Sequence, residues 1–127
     1  MNRRGLLLFA HGARDPRWAE PFDNVARRVR QRDPSMAVQL AFLEFMTPTL
    51  REAGRVLAES GCERIDVVPL FLGAGGHVRK DLPALLAELA AAYPGVRWQL
   101  QRAIGECDSV IEAMACAATL FTDEPVP

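Results

Sequence analysis

Histidine is nearly absent from this chain: two occur, His11 and His77, among 127 residues. Cysteine is scarce as well. Cys62, Cys107 and Cys116 are an odd number with no Cys-x-x-Cys spacing, which argues against a disulfide framework and against a thiolate metal site. They read as small, buried or half-buried apolar residues. No run of Lys or Arg occurs, and 15 basic against 16 acidic residues leave a formal charge of -1. The footprint that nucleic acid or an anionic membrane surface requires is therefore missing, and neither partner is expected. The apolar stretch behind the first arginines, GLLLFA, is too short for the core of a signal peptide and is followed by no small-residue cleavage site. A cytoplasmic location is expected. No low-complexity segment, linker or second domain interrupts the chain, and the glycines at 73, 75 and 76 lack the Gly-Lys-Ser/Thr ending of a phosphate-cradling loop.

What remains is an ordinary globular composition, 50% hydrophobic and 24% charged, in a length that fits one domain burying roughly two-thirds of its unfolded surface. Short apolar runs alternate with longer amphipathic stretches four times. Strands are expected at residues 6–10, 38–43, 64–72 and 96–101, and helices at 17–31, 48–60, 82–92 and 108–121. Asp15 and Thr47, each before a proline, and Asp81 read as helix caps. Gly61 and the Pro94-Gly95 pair close the second and third helices. The domain is expected to span 1–122, with DEPVP at 123–127 as a fraying tail.

Repeated βα units imply an α/β fold: a single-domain, open, four-stranded parallel sheet with helices on both faces. Right-handed crossovers favour the order 2-1-3-4, with the switch point between strands one and three. Both histidines then end neighbouring strands, in GLLLFAH and VVPLFLGAGGH, at the edge where open α/β sheets bind ligands. Strand two flanks them and runs into Glu44. With strands roughly 4.8 Å apart, His11, Glu44 and His77 can converge within about 10 Å. Two imidazoles and a carboxylate suit a borderline divalent ion such as Co²⁺, Ni²⁺, Fe²⁺ or Zn²⁺. Phe42, Phe45 and Phe71 stand at strand ends, where they serve either core packing or an apolar wall for a flat ligand. Trp18 and Trp98 read as packing residues. The fourth helix carries one charged side chain, Glu112, between residues 110 and 121, which makes it more apolar than a single sheet-facing stripe requires.

Three segments, FAHGARDPRW, FLEFMTPTL and VVPLFLGAGGHVRKDLP, resemble in order the signature segments of the short class II chelatases of tetrapyrrole biosynthesis, the CbiX and SirB type. The resemblance implies insertion of a divalent metal, cobalt first and nickel or iron next, into sirohydrochlorin. It implies His11 as base and metal ligand, His77 as metal ligand and Glu44 as the carboxylate supporting metal binding. It also implies a macrocycle-contacting loop of Leu72, Gly73, Ala74, Gly75, Gly76 and His77, with Thr47 at a substrate-contacting position. Ala10 and Ala13 depart from the glycine and serine common at their places. No permanently bound cofactor is implied, the metal being a substrate, and a homodimer would match the longer relatives that fuse two such domains. Because the substrate carries many carboxylates, Arg14, Arg79 and Lys80 are candidate carboxylate binders. The alternatives are a non-catalytic metal or tetrapyrrole carrier using the same ligands, and a nucleotide- or flavin-binding module of flavodoxin-like fold.

Overall fold

The computed structural model describes residues 3–73 and 75–122, and at 77–79 the backbone only. Ala74, the side chains of His77 and Arg79, and residues 123–127 lie outside the described residues. Four strands, β1 (Arg4–Ala10), β2 (Ala37–Phe42), β3 (Arg64–Pro69) and β4 (Arg97–Leu100), form one parallel sheet in the order β2-β1-β3-β4. The helices are α1 (Glu20–Arg32), α2 (Leu50–Glu59), α3 (Gly76–Ala92) and α4 (Asp108–Thr122). The expected architecture and strand order are both present.

Central β1 explains the sheet's stability. Its Leu7, Phe9 and Ala10 are at most 1% exposed, and alternate side chains feed two cores, as the two-residue period of a strand requires. Leu7 and Phe9 join Ile65 and Val67 under α2 and α3. Leu8 and Ala10 join Val38, Leu40 and Phe42 under α1, where Trp18 stacks on Phe22 with ring centroids 4.6 Å apart. In α2 the buried positions Leu50, Ala53, Gly54 and Leu57 recur at helical spacing, with Gly54 admitting Leu89 and Trp98. Along the outer edge of β2, Arg30 donates to the Val38 carbonyl (2.9 Å) and the Phe42 N–H donates to the Pro48 carbonyl (2.9 Å).

Several helix starts differ from expectation. Asp15 does cap, accepting from the Arg17 N–H at 2.9 Å, but over a 3-10 turn at Pro16–Ala19 that precedes α1. Thr47 does not cap α2. Pro48 is tied back to the end of β2 by its carbonyl, so the helix begins later, and Thr49 accepts from the Glu52 N–H at 3.2 Å while its hydroxyl donates to the Glu52 carboxylate at 3.1 Å. Asp81 is not a cap either, because α3 starts at Gly76 with Gly75 before it and carries Pro83 inside. His77 and Lys80 are consequently helical rather than in a loop. Strand β3 stops at Pro69, which has no N–H to continue the ladder, although the Leu70 N–H still reaches the Phe9 carbonyl at 2.7 Å.

The largest departure is α4. No residue in it is buried, Ile111, Met114, Leu120 and Phe121 are all exposed, and its main contact is with the 3-10 turn Ile104–Glu106 just before it. The sheet face it was expected to cover is polar. There Asp66, buried at 7% exposure, accepts from Gln101 (2.9 Å) and Arg64 (3.3 Å), with Arg4 at 3.9 Å. An apolar stripe laid on that network would strip water from Arg4 and Arg64, whose side chains are 56% and 41% exposed, and desolvating charged groups opposes the gain from apolar burial. Cys62 is buried and Cys107 half-buried, as expected. Cys116 is exposed, because it rides on this uncovered helix.

The capping assignment is testable. Thr49→Ala is expected to lower unfolding free energy by about 1 kcal/mol, and Thr47→Ala to leave it unchanged, both read from urea denaturation midpoints.

Candidate functional site

All four strands point their C-terminal ends toward one edge, and the loops after β1 and β2 meet there. The Leu43 N–H donates to the Ala10 carbonyl (2.9 Å) and the Glu44 N–H to the His11 carbonyl (3.1 Å), so the two chains leave the sheet side by side. Gly12 allows this closeness: at φ +93° it has the left-handed conformation that favours glycine, and a Cβ there would collide with the Glu44 carbonyl oxygen.

This backbone contact brings two side chains together. His11 Nε2 lies 2.9 Å from Glu44 Oε1, with both side chains about half exposed (52% and 48%). The His11 ring meets the edge of Phe71 at 6.2 Å, and Phe71 packs on Phe9 at 5.8 Å, so the imidazole stands on the core. Two donor atoms 2.9 Å apart match the spacing of neighbouring ligands that each lie about 2.1 Å from one ion at a right angle. The pair can therefore take up a divalent cation by exchanging its hydrogen bond for two coordinate bonds.

Of the expected metal trio, His11 and Glu44 are in contact. The backbone of His77 lies in the first turn of α3, and its side chain is outside the described residues. Among the described residues no three His, Cys, Asp or Glu side chains cluster for metal binding. Thr47 stands exposed in the turn after Glu44. Leu72 is 70% exposed, and a Cβ on Gly73, Gly75 or Gly76 would meet nothing within 4 Å among the described residues. Packing among the described residues therefore does not demand these glycines. Lys80 is exposed on α3.

Two features escaped the sequence reading. Phe45, following Glu44, has φ +65° and is 57% exposed, with the Met46 N–H closing back to the Glu44 carbonyl at 2.8 Å. An aromatic residue in this strained three-residue turn costs on the order of 1–3 kcal/mol. Arg14 lies over its ring, the guanidinium carbon 4.5 Å from the centroid. No sequence signal marks such a turn, because Phe is not a residue that favours it. The second feature is Cys107, just before α4. Hydrogen bonding from Ser109 (Sγ to Oγ 3.2 Å) holds its thiol below the usual range. It belongs to the same loop edge, since the neighbouring Gly105 N–H donates to the Phe71 carbonyl at 2.9 Å.

Known proteins resemble this chain over most of its length. A family model described as CbiX matches residues 5–119. The sirohydrochlorin cobaltochelatase of Methanopyrus kandleri is 36% identical over 81 residues, 64% of this chain and 57% of its own length. That of Sulfurisphaera tokodaii is 32% identical over 110 residues, 87% of each chain. The chain thus spans little more than half of the first relative and most of the second. Among solved structures, a protein described as a cobalamin (vitamin B12) biosynthesis CbiX protein of Marinobacter aquaeolei superposes with TM-score 0.82 at 32% identity, covering 94% of this chain and 98% of that one. The sirohydrochlorin chelatase SirB of Bacillus subtilis subspecies spizizenii, in complex with cobalt, superposes with TM-score 0.77 at 25% identity, covering 87% of this chain but 47% of SirB. With the family match running through every strand and across the paired His11 and Glu44 loops, this chain belongs to the CbiX family.

Proposed function

We propose that this chain is a chelatase that inserts a divalent metal ion into sirohydrochlorin, with Co²⁺ first among Co²⁺, Ni²⁺ and Fe²⁺. The observation that carries the reading is the 2.9 Å pairing of His11 with Glu44 at the ligand-binding edge of the sheet, in a family whose relatives bear that activity in their names. Metallation releases two pyrrole protons as the ring nitrogens take the cation. A neutral imidazole both holds a borderline ion and accepts a proton near neutral pH, so His11 can serve in turn as ligand and base. Glu44 adds negative charge beside the cation, and His77 is the further metal ligand. N/O ligands of this kind release the ion to a tetradentate nitrogen donor more readily than thiolates would. Leu72, Gly73, Ala74, Gly75, Gly76 and His77 contact the macrocycle on this reading, and the open space around the glycines supports a close approach of the ring to backbone. Thr47, Arg14, Arg79 and Lys80 serve its periphery. The three cysteines are free and no helix among the described residues is long and apolar enough to cross a membrane, in keeping with a cytoplasmic reaction.

The active assembly on this reading is a homodimer formed through α4. A helix of fifteen residues without a buried side chain is marginal in water by itself, and its exposed Ile111, Met114, Leu120 and Phe121 need cover. It leaves the chain beside the loop edge, so a second copy packed on it would close over the same site. SirB, of which this chain matches about half, has length for two such units.

The test of activity is optical. Pure protein mixed anaerobically with sirohydrochlorin and each of Co²⁺, Ni²⁺ and Fe²⁺ is expected to change the macrocycle spectrum faster than a protein-free control; binding without acceleration would make the protein a carrier. His11→Ala should nearly abolish metallation with the fold intact, and His77→Ala should weaken metal binding more than macrocycle binding. Glu44→Gln should raise the metal concentration needed for half-maximal rate. Wild-type rates in both histidine variants would move the site elsewhere. For the assembly, Met114→Glu or Leu120→Glu is expected to yield monomers of lower activity in sedimentation velocity and rate assays. A fully active wild-type monomer at working concentration would refute the dimer.

A further inference from the structure

We infer that Phe45 is a positioning residue: its ring holds the Arg14 guanidinium in place to receive a carboxylate of the macrocycle beside the His11 and Glu44 pair. The inference deepens the proposed chelatase reading and rests on its substrate class. Arg14 follows His11 by three residues and Phe45 follows Glu44 directly, so the same two loops carry both pairs. The metal-binding contact is His11 to Glu44, and a few residues outward Arg14 lies on Phe45 with its guanidinium carbon 4.5 Å from the ring centroid.

Three observations point to use rather than accident. Phe45 occupies a φ of +65° that glycine or asparagine adopts far more readily. It is also 57% exposed, so its ring contributes little to the core. The turn is held from both sides, by the Glu44 N–H to the His11 carbonyl and by the Gly12 backbone against the Glu44 carbonyl, so the surrounding structure fixes the unusual conformation. Among the described residues Arg14 makes no side-chain hydrogen bond or ion pair, and its guanidinium is stacked on the Phe45 ring. Its five N–H donors remain open for a planar carboxylate, which a guanidinium meets in two-pronged fashion. A cation pre-set by an aromatic face loses less freedom on binding an anion than one on a free side chain.

The experiment is a titration of the metal-free octacarboxylate macrocycle, followed by rate measurements with Co²⁺. Phe45→Gly removes the ring and relieves the turn, so its thermal midpoint should not fall, while macrocycle affinity weakens about five- to tenfold. In the rate assay the loss should appear in KM for the macrocycle, with kcat and the metal dependence within about twofold. Phe45→Tyr, which keeps the face, should restore affinity, and Phe45→Leu, which keeps apolar bulk, should not. Arg14→Gln should weaken binding similarly, and the double variant no further than either single one, because the ring acts through Arg14. Unchanged affinity in Phe45→Gly, or losses that add in full, would overturn the inference. A wild type that binds the macrocycle without accelerating metallation would defeat the chelatase reading and leave the affinity test of Phe45 standing; a wild type that binds no macrocycle would defeat both.

Discussion

The architecture of the site depends on one backbone contact, the Gly12 main chain lying against the Glu44 carbonyl. The loops after β1 and β2 belong to neighbouring strands, about 4.8 Å apart in a sheet, and would diverge once the ladder ends. Two N–H donations from the second loop into the first, Leu43 to Ala10 and Glu44 to His11, extend the ladder past the strands. A side chain at Gly12 would wedge them apart. Everything proposed for the site, from the His11 and Glu44 pair to the stacked Arg14, sits on that junction, and the sheet beneath it is the most buried part of the molecule.

Much of this was legible because its causes are local or topological. Apolar runs of strand length alternating with amphipathic stretches can be arranged in few ways as a parallel sheet, and the order β2-β1-β3-β4 is the one found. That order puts Glu44 next to His11. What was not legible depends on competition between similar signals or on tertiary register. Thr47 and Thr49 both precede plausible helix starts, and the choice between them is made by the bond from the Phe42 N–H to the Pro48 carbonyl, which no local pattern announces. The third helix was expected from residue 82 behind Asp81, yet α3 begins at Gly76 and passes through Pro83. Phe45 in a positive-φ turn runs against residue preference altogether.

The position of α4 was hidden for a different reason. Its apolar composition could be read directly, but the face meant to receive it could not, because Asp66 is one polar residue inside an apolar strand and its partners come from three separate strands: Arg4 from β1, Arg64 beside it in β3, and Gln101 just past β4. Only the assembled register makes them a network. Once formed, that network turns the second face of the β3–β4 half of the sheet into polar surface, and an apolar helix has no place on it.

The bonds on the outer side of β2 bear on a hazard common to all open sheets. An edge strand offers a row of unpaired amides on which a foreign strand can nucleate, the route to amyloid-like growth. Here the Arg30 guanidinium occupies the Val38 carbonyl and the Pro48 carbonyl occupies the Phe42 N–H, so an incoming strand finds both ends of the register taken. The opposite margin, β4, is four residues long and begins with Arg97, too brief to template much pairing. Growth of the sheet through its backbone is thereby hindered at both margins, in a chain whose last helix displays uncovered apolar side chains.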